Sequence, residues 1–231
     1  MEAKDRIIVA LDVDSLSKAG SLVGDLAEYV GYFKVGLELL MAEGAPQVVA
    51  FIHALGGKVF LDGKFDDIPN TVGKAAKVVA DMGVNMFNVH ASAGVEAMMA
   101  AVANKGKSLV LAVTVLTSLE ENNAHLIFGA PSKAKVLQLA RDAKIAGCDG
   151  IICSPQELEL LGKQKELRGL LKVTPGIRST NSLPDDQKRT MSAREAILAG
   201  ADYIVVGRPI TQAPDPVLAA QKIAEEITLV S

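Results

Sequence analysis

The stretch KVFLDGKFDDIPNT, residues 58–71, begins as an apolar strand and runs into four charges, Asp62, Lys64, Asp66 and Asp67. Side chains alternate faces along a strand, so Asp62 and Lys64 are expected to point one way and Val59 and Leu61 the other. A carboxylate is thereby held beside an amine. Charges gathered at a strand end are costly unless they are paired or used. The strand passes into a helix capped around Asp67 or Asn70, which makes the stretch the junction of a βα unit.

The same passage recurs along the chain. Strand-like apolar runs lie at 7–11, 32–36, 58–61, 86–89, 109–115, 150–153, 171–174 and 203–206. Helical spacing separates them at 15–26, 37–55, 70–82, 94–104, 132–146, 155–162 and 192–199, and a last helix at 216–227 closes the series. Continuous apolar runs suit strands buried on both faces, and strand–helix alternation implies right-handed βαβ units and a parallel sheet. Eight units in 231 residues, about 29 residues each, is close to a minimal (β/α)8 TIM barrel. Ser15 is expected to cap the first helix, and Gly83, Gly147 and Gly200 to stop three others. No linker or low-complexity segment interrupts the series, so residues 1–231 are expected to form a single α/β domain. A doubly wound sheet would carry a Gly-rich first turn, whereas residues 10–16 read ALDVDSL. Two long unpatterned stretches, 117–131 and 175–188, follow the fifth and seventh strands, where loops of this length serve binding or closure.

Composition narrows the function. A hydrophobic content of 49% suffices for a large core, and a net charge of −3 argues against nucleic-acid or anionic-membrane binding. No apolar run approaches the ~18 residues of a membrane span. The two cysteines, Cys148 and Cys153, lie in a helix-to-strand segment with no secretory signal upstream, so they are expected to be reduced, buried and structural in a cytoplasmic protein.

In a barrel, function concentrates at the C-terminal ends of the strands. Those ends carry Asp12, Lys34, Asp62 with Lys64, His90, Thr117 with Ser118, Ser154, Arg178, and Gly207 with Arg208. The loops after strands 7 and 8 are the usual phosphate site of barrels. Gly207 and Pro175-Gly176-Ile177-Arg178 fit that role, with Arg208 as a charge-assisted, bidentate partner. A turn glycine followed by a solvated arginine is the plain alternative. Lys34, on the neighbouring strand, can reach the Asp62–Lys64 pair. An alternating Lys/Asp array holds each charge by its neighbours, at roughly 4 kcal/mol per close pair for an effective dielectric of about 20. It presents a preorganised proton donor beside a fixed negative charge, suited to protonating a carbanion. His90 reads equally well as a structural histidine. With no zinc motif, P-loop, dinucleotide fingerprint or nucleophile elbow, the chemistry is expected from Lys and Asp side chains.

The run Asp62-x-Lys64-x-x-Asp67-Ile68-Pro69-Asn70-Thr71 resembles the signature of the orotidine 5'-phosphate decarboxylases. The resemblance extends in order to Asp12, Lys34, Thr117-Ser118, Pro175-Gly176-Ile177-Arg178, Gln187 and Gly207-Arg208, and so covers essentially the whole chain. It implies that orotidine 5'-monophosphate loses CO2 from pyrimidine C6 to give uridine 5'-monophosphate, without metal or organic cofactor. Lys64 would be the proton donor to C6, Asp62 would lie beside the leaving carboxylate, and Asp67 would come from the partner subunit of a homodimer, joining Lys34, Asp62 and Lys64. Asp12, Lys34 and the partner's Thr71 would bind ribose hydroxyls, and Thr117 and Ser118 the pyrimidine edge. Pro175, Arg178, Gln187, Gly207 and Arg208 would form the phosphate end, with the loop after strand 7 closing over it. Two alternatives remain open at this point. The chain also resembles the Mg²⁺-dependent keto-gulonate phosphate decarboxylases, which share the strand-3 core but lack the Asp-Ile-Pro-Asn-Thr continuation. A non-catalytic nucleotide-binding barrel is the second.

Overall fold

A computed structural model describes residues 1–177 and 191–230. Among them, eight parallel strands close into a barrel in chain order: β1 (Ile7–Leu11), β2 (Tyr32–Val35), β3 (Val59–Phe65), β4 (Met86–His90), β5 (Leu109–Val113), β6 (Gly150–Ile152), β7 (Leu171–Thr174) and β8 (Tyr203–Val206). Each strand pairs with the next, and β8 closes on β1 with Ile8 opposite Val205. The helices around them are α1 (Leu16–Leu26), α2 (Leu37–Glu43), α3 (Ala45–Ala54), α4 (Pro69–Asp81), α5 (Val95–Ala103), α6 (Glu121–Phe128), α7 (Ser132–Ile145), α8 (Leu158–Gly162), α9 (Ala193–Leu198), α10 (Arg208–Thr211) and α11 (Pro216–Thr228).

Strand alternation divides the core in two. Ile8, Phe60, Met86, Leu111, Val173 and Val205 belong to a small cluster that fills the barrel. Their neighbours Ile7, Val9, Val59, Leu61, Phe87 and Val89 belong to a larger cluster, shared with the inner stripes of the helices. Both faces of each strand are therefore apolar, which is why the strands read as unbroken hydrophobic runs.

Several elements differ from the sequence reading, each for a local reason. The helix expected over 37–55 is broken at Gly44, whose φ of 79° is open to glycine and strained for other residues. Pro46 then occupies the first turn of α3, where its missing N–H costs nothing. The unpatterned stretch 117–131 contains α6. Leu126 and Ile127 of that helix are 81% and 62% exposed and only Ala124 is buried, so it carries no core-facing stripe for periodicity to register. Strand β3 runs on to Phe65, with a register shift against β4 between Leu61 and Phe65. The segment 155–162 starts as a 3₁₀ turn, Pro155–Glu157, before α8. Ser154, a strand-end candidate, is its fully buried N-cap. Its hydroxyl accepts from the Gln156 N–H at 3.4 Å, and its own N–H donates to Glu157 Oε2 at 2.8 Å. Ser154 is therefore structural.

Cys148 and Cys153 are free and buried. Burial pushes each thiol up to about 12, so neither supplies a thiolate near neutral pH. Among the described residues, no helix is long and apolar enough to cross a membrane.

Candidate active site

The site is the next rung of the barrel's own interior. Inward-facing Ala10, Phe60 and Met86 are followed two residues later by Asp12, Asp62 and Asn88, and Tyr32, packed against the same cluster, by Lys34. Four adjacent strands thus exchange apolar for polar side chains at one level, where the barrel opens at its C-terminal end.

Asp62 is the centre of this rung. Its Oδ1 accepts from Lys64 Nζ at 2.8 Å, and its Oδ2 lies 3.3 Å from Lys34 Nζ. Lys34 also donates to Asp12 Oδ1 at 3.1 Å. The result is a chain of alternating charge, Asp12–Lys34–Asp62–Lys64. Its middle is the driest part: the Asp62 side chain is 10% exposed and that of Lys34 14%, against 32% for Lys64 and 64% for Asp12. Burial pulls the Lys34 ammonium down, but the carboxylates of Asp62 and Asp12 outweigh it and hold the group above the ordinary lysine value. Lys34 is therefore a fixed positive charge at neutral pH. Gly36 leaves room for this pairing: a Cβ there would lie 3.0 Å from Lys34 Nζ and 3.5 Å from Asp12 Oδ1.

Asp62 and Lys64 do lie side by side, yet simple strand alternation does not account for it. Lys64 has a φ of 49°, the one non-glycine among the described residues at positive φ, within the stretch where β3 slips register on β4. Such a conformation costs about 1–3 kcal/mol and persists where surrounding bonds impose it. Here the Lys64 N–H donates to the Asn88 side-chain oxygen at 2.7 Å. Asn88 was not singled out from sequence. The signal was present, because an amide at an inward position of an otherwise apolar strand has to be buried and bonded.

The charged chain forms one wall of a cleft of about 250 Å³. Among the sequence candidates, Asp12, Lys34, Asp62, Lys64, Thr117, Pro175, Gly207 and Arg208 all line it. The lysines and Arg208 therefore share one cavity, whose floor includes Phe60, Ile152 and Val205. Asp67, Thr71 and Ser118 are exposed and do not line the cleft of their own chain. Asp67 Oδ1 instead accepts the Ile68 N–H at 2.7 Å, and Thr71 sits in the first turn of α4. Arg178 and Gln187 lie outside the described residues. Burial keeps the half-buried His90 imidazole below the ordinary histidine value, against the pull of Asp66, so it is neutral at pH 7. Among the described residues, no three His, Cys, Asp or Glu side chains are grouped to hold a metal ion.

A cavity lined both by a paired ammonium and by Arg208 beside Gly207 suits a substrate that carries an anionic group and gains a proton elsewhere on its frame. Comparison with known proteins points the same way. A family model described as "Orotidine 5'-phosphate decarboxylase / HUMPS family" matches residues 5–223. The chain is 44% identical over 243 aligned residues to the orotidine 5'-phosphate decarboxylase of Moorella thermoacetica, covering 100% of this chain and 95% of that one. It is 46% identical over 238 residues to the enzyme of the same name from Heliobacterium modesticaldum, covering 98% and 97%. Among solved structures, orotidine 5'-phosphate decarboxylase from Lactobacillus acidophilus superposes with a TM-score of 0.83 at 35% identity, covering 96% of this chain and 98% of that one. With the match spanning the whole barrel and the charged rung inside it, the chain belongs to the orotidine 5'-phosphate decarboxylase / HUMPS family.

Proposed function

We propose that the chain converts orotidine 5'-monophosphate to uridine 5'-monophosphate in pyrimidine biosynthesis, as a carbon–carbon lyase that needs no cofactor. The observation that carries this is the Lys64 ammonium at the cleft wall, held by Asp62 at 2.8 Å. Loss of CO2 from C6 leaves an electron pair in the plane of the pyrimidine ring, where the π-system cannot delocalise it. Stabilisation has to be electrostatic, and Lys64 provides both the positive charge and the proton. Asp62 lies beside the leaving carboxylate and fixes the ammonium. General acid assistance alone is worth about 10²–10⁴-fold. The greater part of the acceleration then comes from charges in place before the substrate arrives, and from binding energy at the phosphate.

The remaining roles follow the cleft. Asp12 and Lys34, bonded to each other, meet ribose hydroxyls, and Thr117 with Ser118 meets the pyrimidine edge. Gly207 and Arg208, with Pro175, Arg178 and Gln187, bind the phosphate. Asp67 and Thr71 serve the site of a second subunit. This is supported by their exposure outside their own cleft, and by exposed apolar side chains on the segments after β2 and β3, namely Leu37, Met41 and Ile68 at 51%, 79% and 66%. A cytoplasmic setting fits the two free cysteines. The Mg²⁺-dependent alternative is not favoured, since the relatives named above are orotidine 5'-phosphate decarboxylases.

Four outcomes are expected. The protein treated with a chelator forms uridine monophosphate from orotidine monophosphate at an unchanged rate, and Lys64→Ala binds the product normally but loses turnover by many orders of magnitude; loss of the wild-type activity with EDTA would contradict the cofactor-free scheme. Arg208→Ala lowers turnover of the nucleotide by an amount equivalent to roughly 2–5 kcal/mol while hardly changing that of a phosphate-free nucleoside, and equal losses on both would remove Arg208 from the phosphate end. Lys64→Ala and Asp67→Ala chains, each inactive alone, regain activity when mixed, because one site of the heterodimer carries both changes and the other neither. No recovery despite demonstrated subunit exchange would return Asp67 to its own chain's site.

A further inference from the structure

The left-handed backbone of Lys64 and the orientation of the Asp62 carboxylate share one partner, Asn88. Its position on β4 sets this up. Met86 packs in the barrel's inner cluster, and Asn88 stands two residues on, at the level of the charged rung, with 0% exposure. A buried amide needs both of its ends satisfied. Asn88 Oδ1 accepts the Lys64 main-chain N–H at 2.7 Å, and Asn88 Nδ2 donates to Asp62 Oδ1 at 2.6 Å. The same Asp62 oxygen receives Lys64 Nζ at 2.8 Å. A closed ring results, running from the Lys64 main chain through Asn88 and Asp62 back to the Lys64 side chain.

Only one orientation of the amide works. Turned by 180°, its NH2 would face the Lys64 N–H and its oxygen would face a carboxylate, opposing donor to donor and acceptor to acceptor. The ring also sits where the sheet gives least support, since β3 slips register on β4 between Leu61 and Phe65. The Asn88 side chain takes the place of a ladder bond for Lys64. Asn88 itself does not line the cleft, so it has no direct contact to offer a substrate there.

We propose that Asn88 is a positioning residue for the decarboxylation. It imposes the left-handed conformation on Lys64 and sets the Asp62 carboxylate so that the ammonium is aimed at the reacting carbon, a role that rests on the decarboxylase reading of the site. Without the amide, the part-buried Lys64 N–H loses its acceptor, and Asp62 loses one of the donors that fix it. The ammonium is then displaced, and misplacement by about 1 Å costs on the order of 10²-fold in rate. Binding of the nucleotide, carried by ribose and phosphate contacts elsewhere in the cleft, is largely preserved.

Two variants test this, with kcat and KM for orotidine monophosphate and the thermal midpoint measured beside the wild type. Asn88→Ala is expected to lose about 100-fold in kcat with KM nearly unchanged. Asn88→Asp keeps the shape but places a second carboxyl against Asp62, so it can donate only when one of the two holds a proton. Its kcat relative to wild type is therefore expected to rise as the pH is lowered, since protonation restores the donor while the other oxygen still accepts from Lys64. Taking the ratio cancels titration of the substrate phosphate. If Asn88→Ala does not fold, the pH dependence of Asn88→Asp decides. A pH-independent ratio for Asn88→Asp, or an Asn88→Ala enzyme with wild-type kcat, would overturn the proposal while leaving the decarboxylase function intact. A wild-type protein that does not decarboxylate the nucleotide would overturn both.

Discussion

One carboxylate between two ammoniums organises this molecule's working end. Asp62 is nearly enclosed, and a lone buried carboxylate would be expelled or protonated. With Lys64 at 2.8 Å and Lys34 at 3.3 Å, it is paired on both oxygens and keeps both lysines in place. Breaking a buried pair is costly because the surviving charge is left uncompensated. The three groups therefore stand or fall together, and Asp12 extends the alternation to the solvent side. The barrel makes this affordable. Its closed sheet fixes four neighbouring strands so that the charged rung rests on apolar side chains beneath it.

In the proposed reaction that rung supplies the chemistry from side chains alone. A carbanion whose electrons lie in the ring plane gains nothing from an electron sink and much from an adjacent, immobile positive charge. Immobility is the property the structure supplies. Lys64 is held at its ammonium by Asp62 and at its main chain by Asn88, so the proposed proton transfer requires little reorganisation. In the proposed reaction Arg208 and Gly207, which line the same cleft, let the phosphate anchor the substrate away from the reacting carbon.

The barrel was legible because its signal is repeated eight times, and a misplaced boundary in one unit does not change the count. Single elements were less secure. The helix after β2 kept its apolar pattern across Gly44, so periodicity ran through a break made by the backbone. Helix α6 was silent for the opposite reason, having almost no buried face. Within the site, Asp62 and Lys64 stood out as charges at the end of an apolar strand. The route by which they meet, a positive φ at Lys64 and a register slip, is a property of two strands together and cannot be read from one. Asn88 was hidden for a related reason: its partners are 26 and 24 positions away, and its neutral amide carries none of the charge that drew notice to its neighbours. The exposure of Asp67 and Thr71 likewise became visible only once the cleft had walls.

The most direct test of this account is the turnover of Asp62→Asn, which keeps the size of the side chain and removes the charge that both lysines share. If Asp62 is the centre of a preorganised array, the variant folds and still binds uridine monophosphate, while decarboxylation falls by a factor on the order of 10² or more. A folded Asp62→Asn protein that decarboxylates at the wild-type rate would contradict it.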